Sequence, residues 1–159
     1  MNVEYINPFI DATLNVLKTM ASFEAFHQTP QLKPDKKTWG VVTGMIGLAG
    51  DDVAGMLMLS FDEASILQIV SNLFGTPYTA INDEVTDAVG EITNMICGGA
   101  KSALAEKGYK INMATPTMIV GKDVAISQLS TTPIVTVPFE GTVGRFVIEA
   151  SLTRKKSST

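Results

Sequence analysis

Apolar side chains return at helical spacing near the start of the chain, at Phe9, Ile10, Leu14, Val16 and Leu17, behind Asn7-Pro8. Asparagine followed by proline reads as an N-cap with proline in the first turn, so the pattern predicts a long helix ending near Met20. A turn-rich stretch over 27–37 follows. Two β-rich runs, 39–48 and 53–61, then flank Ala49-Gly50-Asp51-Asp52, which predicts a hairpin. Asp62 is placed to cap a short helix to about Leu73, closed by Gly75 and Pro77. A second long helix is predicted from Asn82 as cap to Glu106, ended by Gly108. Beyond it, 111–120, 124–129, 133–139 and 143–152 are β-rich and separated by Gly-Lys, Ser-Thr-Thr and Glu-Gly turns.

The order repeats itself. Each long helix is followed by a Thr-Pro pair, Thr29-Pro30 and Thr115-Pro116, and later by a glycine-led strand, Gly55-Met56-Leu57-Met58-Leu59-Ser60 and Gly144-Arg145-Phe146-Val147-Ile148-Glu149. Two related halves, about 1–75 and 82–152, sharing one sheet would explain this. No stretch has a linker's composition, so a single domain over 1–159 with a solvated basic tail at 153–159 is expected.

Composition narrows the function classes. The chain has 159 residues, 45% of them hydrophobic and 18% charged, enough apolar content for a buried core. With 12 basic against 16 acidic residues and a net charge of -4, it offers no cationic footprint for nucleic acid. The sole cysteine, Cys97, and the sole histidine, His27, are too far apart in sequence to suggest a metal site, and one cysteine forms no internal disulfide. His27 reads as a surface residue in a turn, Cys97 as packed, and Trp39 as a strand residue in the core or in a dimer contact. The eight methionines are dispersed, so no methionine-rich groove is expected. The start of the chain is acidic rather than basic and no apolar run spans a bilayer; a cytoplasmic protein without membrane insertion is the expectation.

On the second long helix, Asp87, Glu91, Asn94 and Gly98 fall on one narrow polar stripe, with Val85, Val89, Ile92, Ile96 and Ala103 on the opposite side. An ordinary solvated face is one account of this stripe. Against it stand Asn94, a weak helix former at its centre, and Gly98, which would let another backbone approach. A carboxamide donates and accepts hydrogen bonds and can hold a water, yet is too weak a base to deprotonate it. Such a group serves best where the electrophile is already activated, as in phosphoryl transfer, and an acyl phosphate on a partner protein would qualify. Gly44-x2-Gly47-x2-Gly50 lacks the spacing and context of a dinucleotide loop.

At these residues the chain resembles the CheC/CheX/FliY family of chemotaxis phosphatases, most closely the CheX type. The motif reads Asp87-x3-Glu91-x2-Asn94-x21-Pro116, on the expected helix and within a similar run of elements along nearly the whole chain. On the first helix the same alignment gives Asp11-x3-Asn15-x2-Lys18, which lacks the Glu/Asn pair and should be silent. The resemblance implies an α+β, CheC-like two-layer fold: two pseudo-symmetric helix-plus-strands halves share one mainly antiparallel sheet, with both long helices on one face. It further implies dephosphorylation of a CheY-like response regulator. Asn94 would orient the attacking water, Glu91 would pair with a regulator lysine, Asp87 and Pro116 would shape the helix and adjoining strand, and Gly98 would lie against the partner. Mg²⁺ would come with the regulator, the protein having no cofactor of its own. A homodimer joined through sheet edges is implied, and the run 38–50 is a candidate edge. The alternative is a non-catalytic adaptor that binds CheY or builds the flagellar switch.

Overall fold

The computed structural model describes residues 4–126 and 133–154. Among these the elements run α1 (Ile6–Ala21), β1 (Ala25–His27), β2 (Gln31–Leu32), β3 (Val42–Ala49), β4 (Val53–Phe61), α2 (Glu63–Phe74), α3 (Asp83–Glu106), β5 (Asn112–Met113), β6 (Thr117–Val120), β7 (Val135–Gly141) and β8 (Arg145–Arg154). The strands form one antiparallel sheet in the order β1-β7-β8-β4-β3-β5, with β2 also on β7 and β6 also on β3. The fold is α+β, with two related halves and both long helices on the same face of the sheet.

The halves meet where β4 pairs with β8, Leu59 opposite Ile148. Each then lends its short strands to the other: β1 and β2, following α1, pair with β7, while β5 and β6, following α3, pair with β3. The repeated Thr-Pro pairs sit at matching points. Thr29-Pro30 separates β1 from β2 and Thr115-Pro116 separates β5 from β6, so proline interrupts both outer rows of the sheet.

One sheet face is aliphatic and aromatic and carries the helices. Val42, Ile46, Leu57, Leu59, Phe61, Val137, Phe139, Phe146 and Ile148 are buried there with Phe9, Leu17, Val89, Ile92 and Ile96. Phe139 stacks on Phe146 at 4.7 Å between centroids, and Phe61 lies 5.3 Å from the same ring. The strands alternate, so Met45, Met56 and Met58 point to the other face with Ile119, Ile126 and Ile134. That second face also buries an ion pair. Lys33 Nζ donates to both oxygens of Glu149 at 2.9 and 3.0 Å and to the Lys37 carbonyl at 2.7 Å.

The hairpin, the Asp62 cap and the Asn82 cap form as expected, with Asp62 Oδ1 accepting from the Ser65 amide and Asn82 Oδ1 from the Val85 amide. Several expectations need correction. Helix α1 starts at Ile6 with Tyr5 in the cap position, so Asn7 lies inside the helix and caps nothing. Pro8 still falls in the first turn, where its missing N–H costs no helical bond. The stretch 27–37 carries β1 ending at His27, and β2, drawn into the sheet by the free edge of β7. Trp39 precedes β3, which starts at Val42, and is 37% exposed. The run 111–120 is two strands, broken ahead of Pro116. Within 124–129, residues 124–126 show only the isolated bridge of Ala125 to Lys37, and 127–129 lie outside the described residues, as does the Ser-Thr-Thr turn. Thr153 and Arg154 extend β8 rather than starting a tail, the guanidinium lying 4.6 Å over the Tyr109 ring. Finally, the run 38–50 is no edge: β3 is paired with β4 on one side and with β5 and β6 on the other.

Candidate functional site

Helix α3 lies across the β3 side of the sheet because its apolar positions demand it. Val85, Val89, Ile92 and Ile96 are buried, while Ala103 is only half-buried and Leu104 takes the inward position near the C-terminal end. Gly44 on β3, unlike Gly99 on α3, sets how closely the helix is held. A Cβ on Gly44 would run into Thr93 Oγ1, and one on Gly99 would lie 3.4 Å from Ala12 of α1. Thr93 itself is fully buried, its hydroxyl donating back to the Val89 carbonyl at 2.7 Å. Anchoring Thr93 inward leaves the next residue, Asn94, at the helix's outer shoulder.

The polar stripe is therefore displayed. Asp87, Glu91 and Gly98 are exposed and Asn94 is half-buried. Glu91 and Asn94, three residues apart, share a face with Cβ atoms roughly 5–6 Å apart. Among the described residues neither side chain makes a hydrogen bond or an ion pair, so both are free for a partner. Gly98 has nothing within 4 Å of where a Cβ would sit. Pro116 stands apart from the stripe, half-buried just before β6, whose Met118 Sδ would lie 3.3 Å from a Cβ on Gly90. It bears on the site only through the strand beneath α3.

Beside Glu91 runs a groove of about 490 Å³ between α1, α2 and α3. Met20, Phe74 and Met95 are among its apolar walls and Glu84, Asp87 and Glu91 line its rim. Sequence reading missed it. Met20 and Met95 are distant along the chain, and Phe74 falls one residue beyond the expected end of α2, so only the packing of three helices brings them together.

The chain's other reactive groups do not join this stripe. Cys97 is buried and its thiol is pushed up to about 12 by that burial, which makes it inert as a nucleophile. His27 is exposed on β1 at the far side of the sheet. Among the described residues no three His, Cys, Asp or Glu side chains cluster closely enough to hold a metal ion, and no helix is long and apolar enough to cross a membrane.

A two-half sheet carrying an unengaged Glu/Asn pair on one helix defines a protein that displays a carboxylate and a carboxamide on one face of that helix. The chain belongs to the chemotaxis phosphatase CheX family, whose model matches residues 42–140. It is similar to the CheY-P phosphatase CheX of Thermotoga maritima, at 24% identity over 129 residues, covering 80% of this chain and 83% of that one. Among solved structures it is similar to the chemotaxis protein CheX of Vibrio vulnificus, at 43% identity and a TM-score of 0.87, covering 94% of this chain and 99% of that one. The CheX of Borrelia burgdorferi, solved as a complex with CheY, BeF3 and Mg²⁺, matches at 29% identity and a TM-score of 0.76, covering 98% of this chain and all of that one.

Proposed function

We propose that this protein hydrolyses the aspartyl phosphate of a CheY-like response regulator, with Asn94 orienting the attacking water and Glu91 binding a regulator lysine. The observation that carries this reading is the free, outward Glu91/Asn94 pair on α3 of a CheX-family chain. The water oxygen bonds to phosphorus as the bond to the aspartyl oxygen breaks. The carboxylate leaves with that electron pair, and both of the water's protons leave with inorganic phosphate, as dihydrogen phosphate. Asn94 has only to hold the water in line, since an acyl phosphate is already activated and placement does most of the catalysis. Glu91 meeting a lysine ammonium makes a charge-assisted contact that fixes the approach of the two proteins. Asp87 and Pro116 shape the helix and the strand under it, and Gly98 leaves room for the partner's backbone. The metal of the reaction is the regulator's Mg²⁺, a reading supported by the Borrelia CheX complex with CheY, BeF3 and Mg²⁺. The protein acts in the cytoplasm, where its regulator is. A homodimer would form through the short outer strands, since β3 is paired on both sides.

The test is loss of label from a phosphorylated CheY-like regulator, with and without the protein. Asn94→Ala should keep the fold and slow turnover about 10²–10³-fold, the cost of one lost transition-state contact. Asn15→Ala and Lys18→Ala, at the matching positions of α1, should change nothing. Unaltered turnover by Asn94→Ala would remove the water-positioning role. Regulator binding without turnover by the unaltered protein would point to the adaptor instead.

A further inference from the structure

The groove beside Glu91 has a composition that selects its occupant. Its apolar walls come from three helices: Met20 at the end of α1 is 48% exposed, Phe74 at the end of α2 is 53% exposed, and Met95 stands on α3. Large apolar side chains left in water to this degree and gathered in one groove mark a contact surface rather than leftover core. Phe74 is also held in place. Its ring lies 5.8 Å from that of Tyr78, whose hydroxyl donates to Glu84 at 2.5 Å, so the connection between α2 and α3 braces the wall. An aromatic already fixed in its binding pose loses little freedom on docking, the usual property of an interface anchor.

The rim is all of one sign. Glu84, Asp87 and Glu91 line it, and among the described residues no Lys, Arg or His does. An apolar floor under three carboxylates suits a segment that alternates apolar and cationic side chains. The groove at the matching positions of α1, lined by Pro8, Asp11, Asn15 and Val16 and closed by Ala103 and Lys107, carries one carboxylate and one lysine and, among the described residues, no methionine or phenylalanine. The acidic apolar groove thus occurs on the side of the molecule that carries the Glu/Asn pair.

We infer that this groove receives the surface of the phosphorylated regulator that flanks its lysine: an apolar side chain enters between Phe74 and Met20 while the lysine and neighbouring cations meet Glu91, Asp87 and Glu84. The inference rests on the proposed phosphatase reading and deepens it. Phe74 and Met20 set affinity and choice of regulator, and Asn94 sets the rate. The division of labour is measurable. Phe74→Ala and Met20→Ala should each raise KM for the phosphorylated regulator about tenfold or more with kcat unchanged, whereas Phe26→Ala, the loss of an exposed aromatic on β1 outside this groove, should alter neither. Binding of the regulator charged with beryllium fluoride and Mg²⁺ to the Asn94→Ala protein should weaken by the same factor when Phe74→Ala is added, and should weaken further with salt. Unchanged KM and unchanged binding in both groove variants, with turnover intact, would overturn the groove and leave the phosphatase standing. No turnover by the unaltered protein, with binding still lost in Phe74→Ala, would overturn the phosphatase and support the groove. Neither turnover nor binding would overturn both.

Discussion

Gly44 on β3 and Thr93 on α3 occupy one another's space: a side chain on the first would fall on the hydroxyl of the second, which is tied to the Val89 carbonyl and fully buried. Thr93 immediately precedes Asn94, so this contact sets how far the carboxamide stands above the sheet. Gly44→Ala should force α3 outward. Overpacking of this kind costs about 1–3 kcal/mol, and an ångström of misplacement at a reacting centre can cost about 10²-fold in rate. We expect a lowered Tm together with a kcat loss larger than any change in KM. Thr93→Ala in the Gly44→Ala background should recover much of both, a coupling read by a double-mutant cycle. A neutral Gly44→Ala would show that the close approach constrains nothing.

Glu91 is exposed and unpaired in the free protein, so reversing its charge should leave stability within about 0.5 kcal/mol. Glu91→Lys should instead depress association with the regulator, because two cations would then face each other, and raising the salt should narrow the gap from the unaltered protein. Stopped-flow association rates at two ionic strengths check this. Identical salt dependence in the two proteins would remove the ion pair from the interface.

The buried pair on the other sheet face governs stability rather than turnover. Glu149 is 2% exposed, and burial pushes its carboxyl above the ordinary glutamate range despite the Lys33 ammonium and the Thr136 hydroxyl, which pull it down. The sign follows from linkage. A raised carboxyl favours the folded state fully below the unfolded value, and that contribution is lost as pH rises through the folded one. Lys33→Met removes the largest counterweight, so the carboxyl should rise further and the loss on raising pH should grow. At neutral pH an uncompensated buried charge costs about 3–5 kcal/mol, a Tm drop of roughly 10 °C or more. Lys33→Met/Glu149→Leu should restore most of it, as seen in thermal melts across pH. A Lys33→Met protein as stable as the parent would mean that water reaches Glu149.

How much of this was legible depended on whether the signal was local. The Asp62 and Asn82 caps, the hairpin at 50–52 and the face of α3 carrying Val89, Ile92 and Ile96 are set by neighbours three or four residues away, and they appear where the pattern put them. The spacing of Glu91 and Asn94 likewise needed only a helix. What escaped was decided by distant partners. His27 and Leu32 became strand residues because β7 offered an open edge, Trp39 was left outside β3, and the run 111–120 split where proline faces the same problem as Pro30 does. Phe74 was invisible as an anchor because its meaning comes from Met20 and Met95, contributed by two other helices. Lys33 and Glu149 carry no motif at all; only the register that buries them side by side makes them a pair.

Gly98 offers a test in which stability and binding should move in opposite directions. A glycine inside a helix costs about 1 kcal/mol relative to alanine, and nothing within 4 Å in the free protein would meet a methyl group there. Gly98→Ala should therefore raise Tm by about 2–4 °C. If the partner's backbone comes close at that point of the stripe, the same methyl should weaken regulator binding and raise KM. Gly99→Ala is the comparison. Its Cβ would rest in ordinary contact with Ala12 of α1, off the stripe, so it should gain helix stability without losing affinity. A glycine retained for solvent exposure alone would give the two substitutions the same binding curve, whereas one retained for docking separates them.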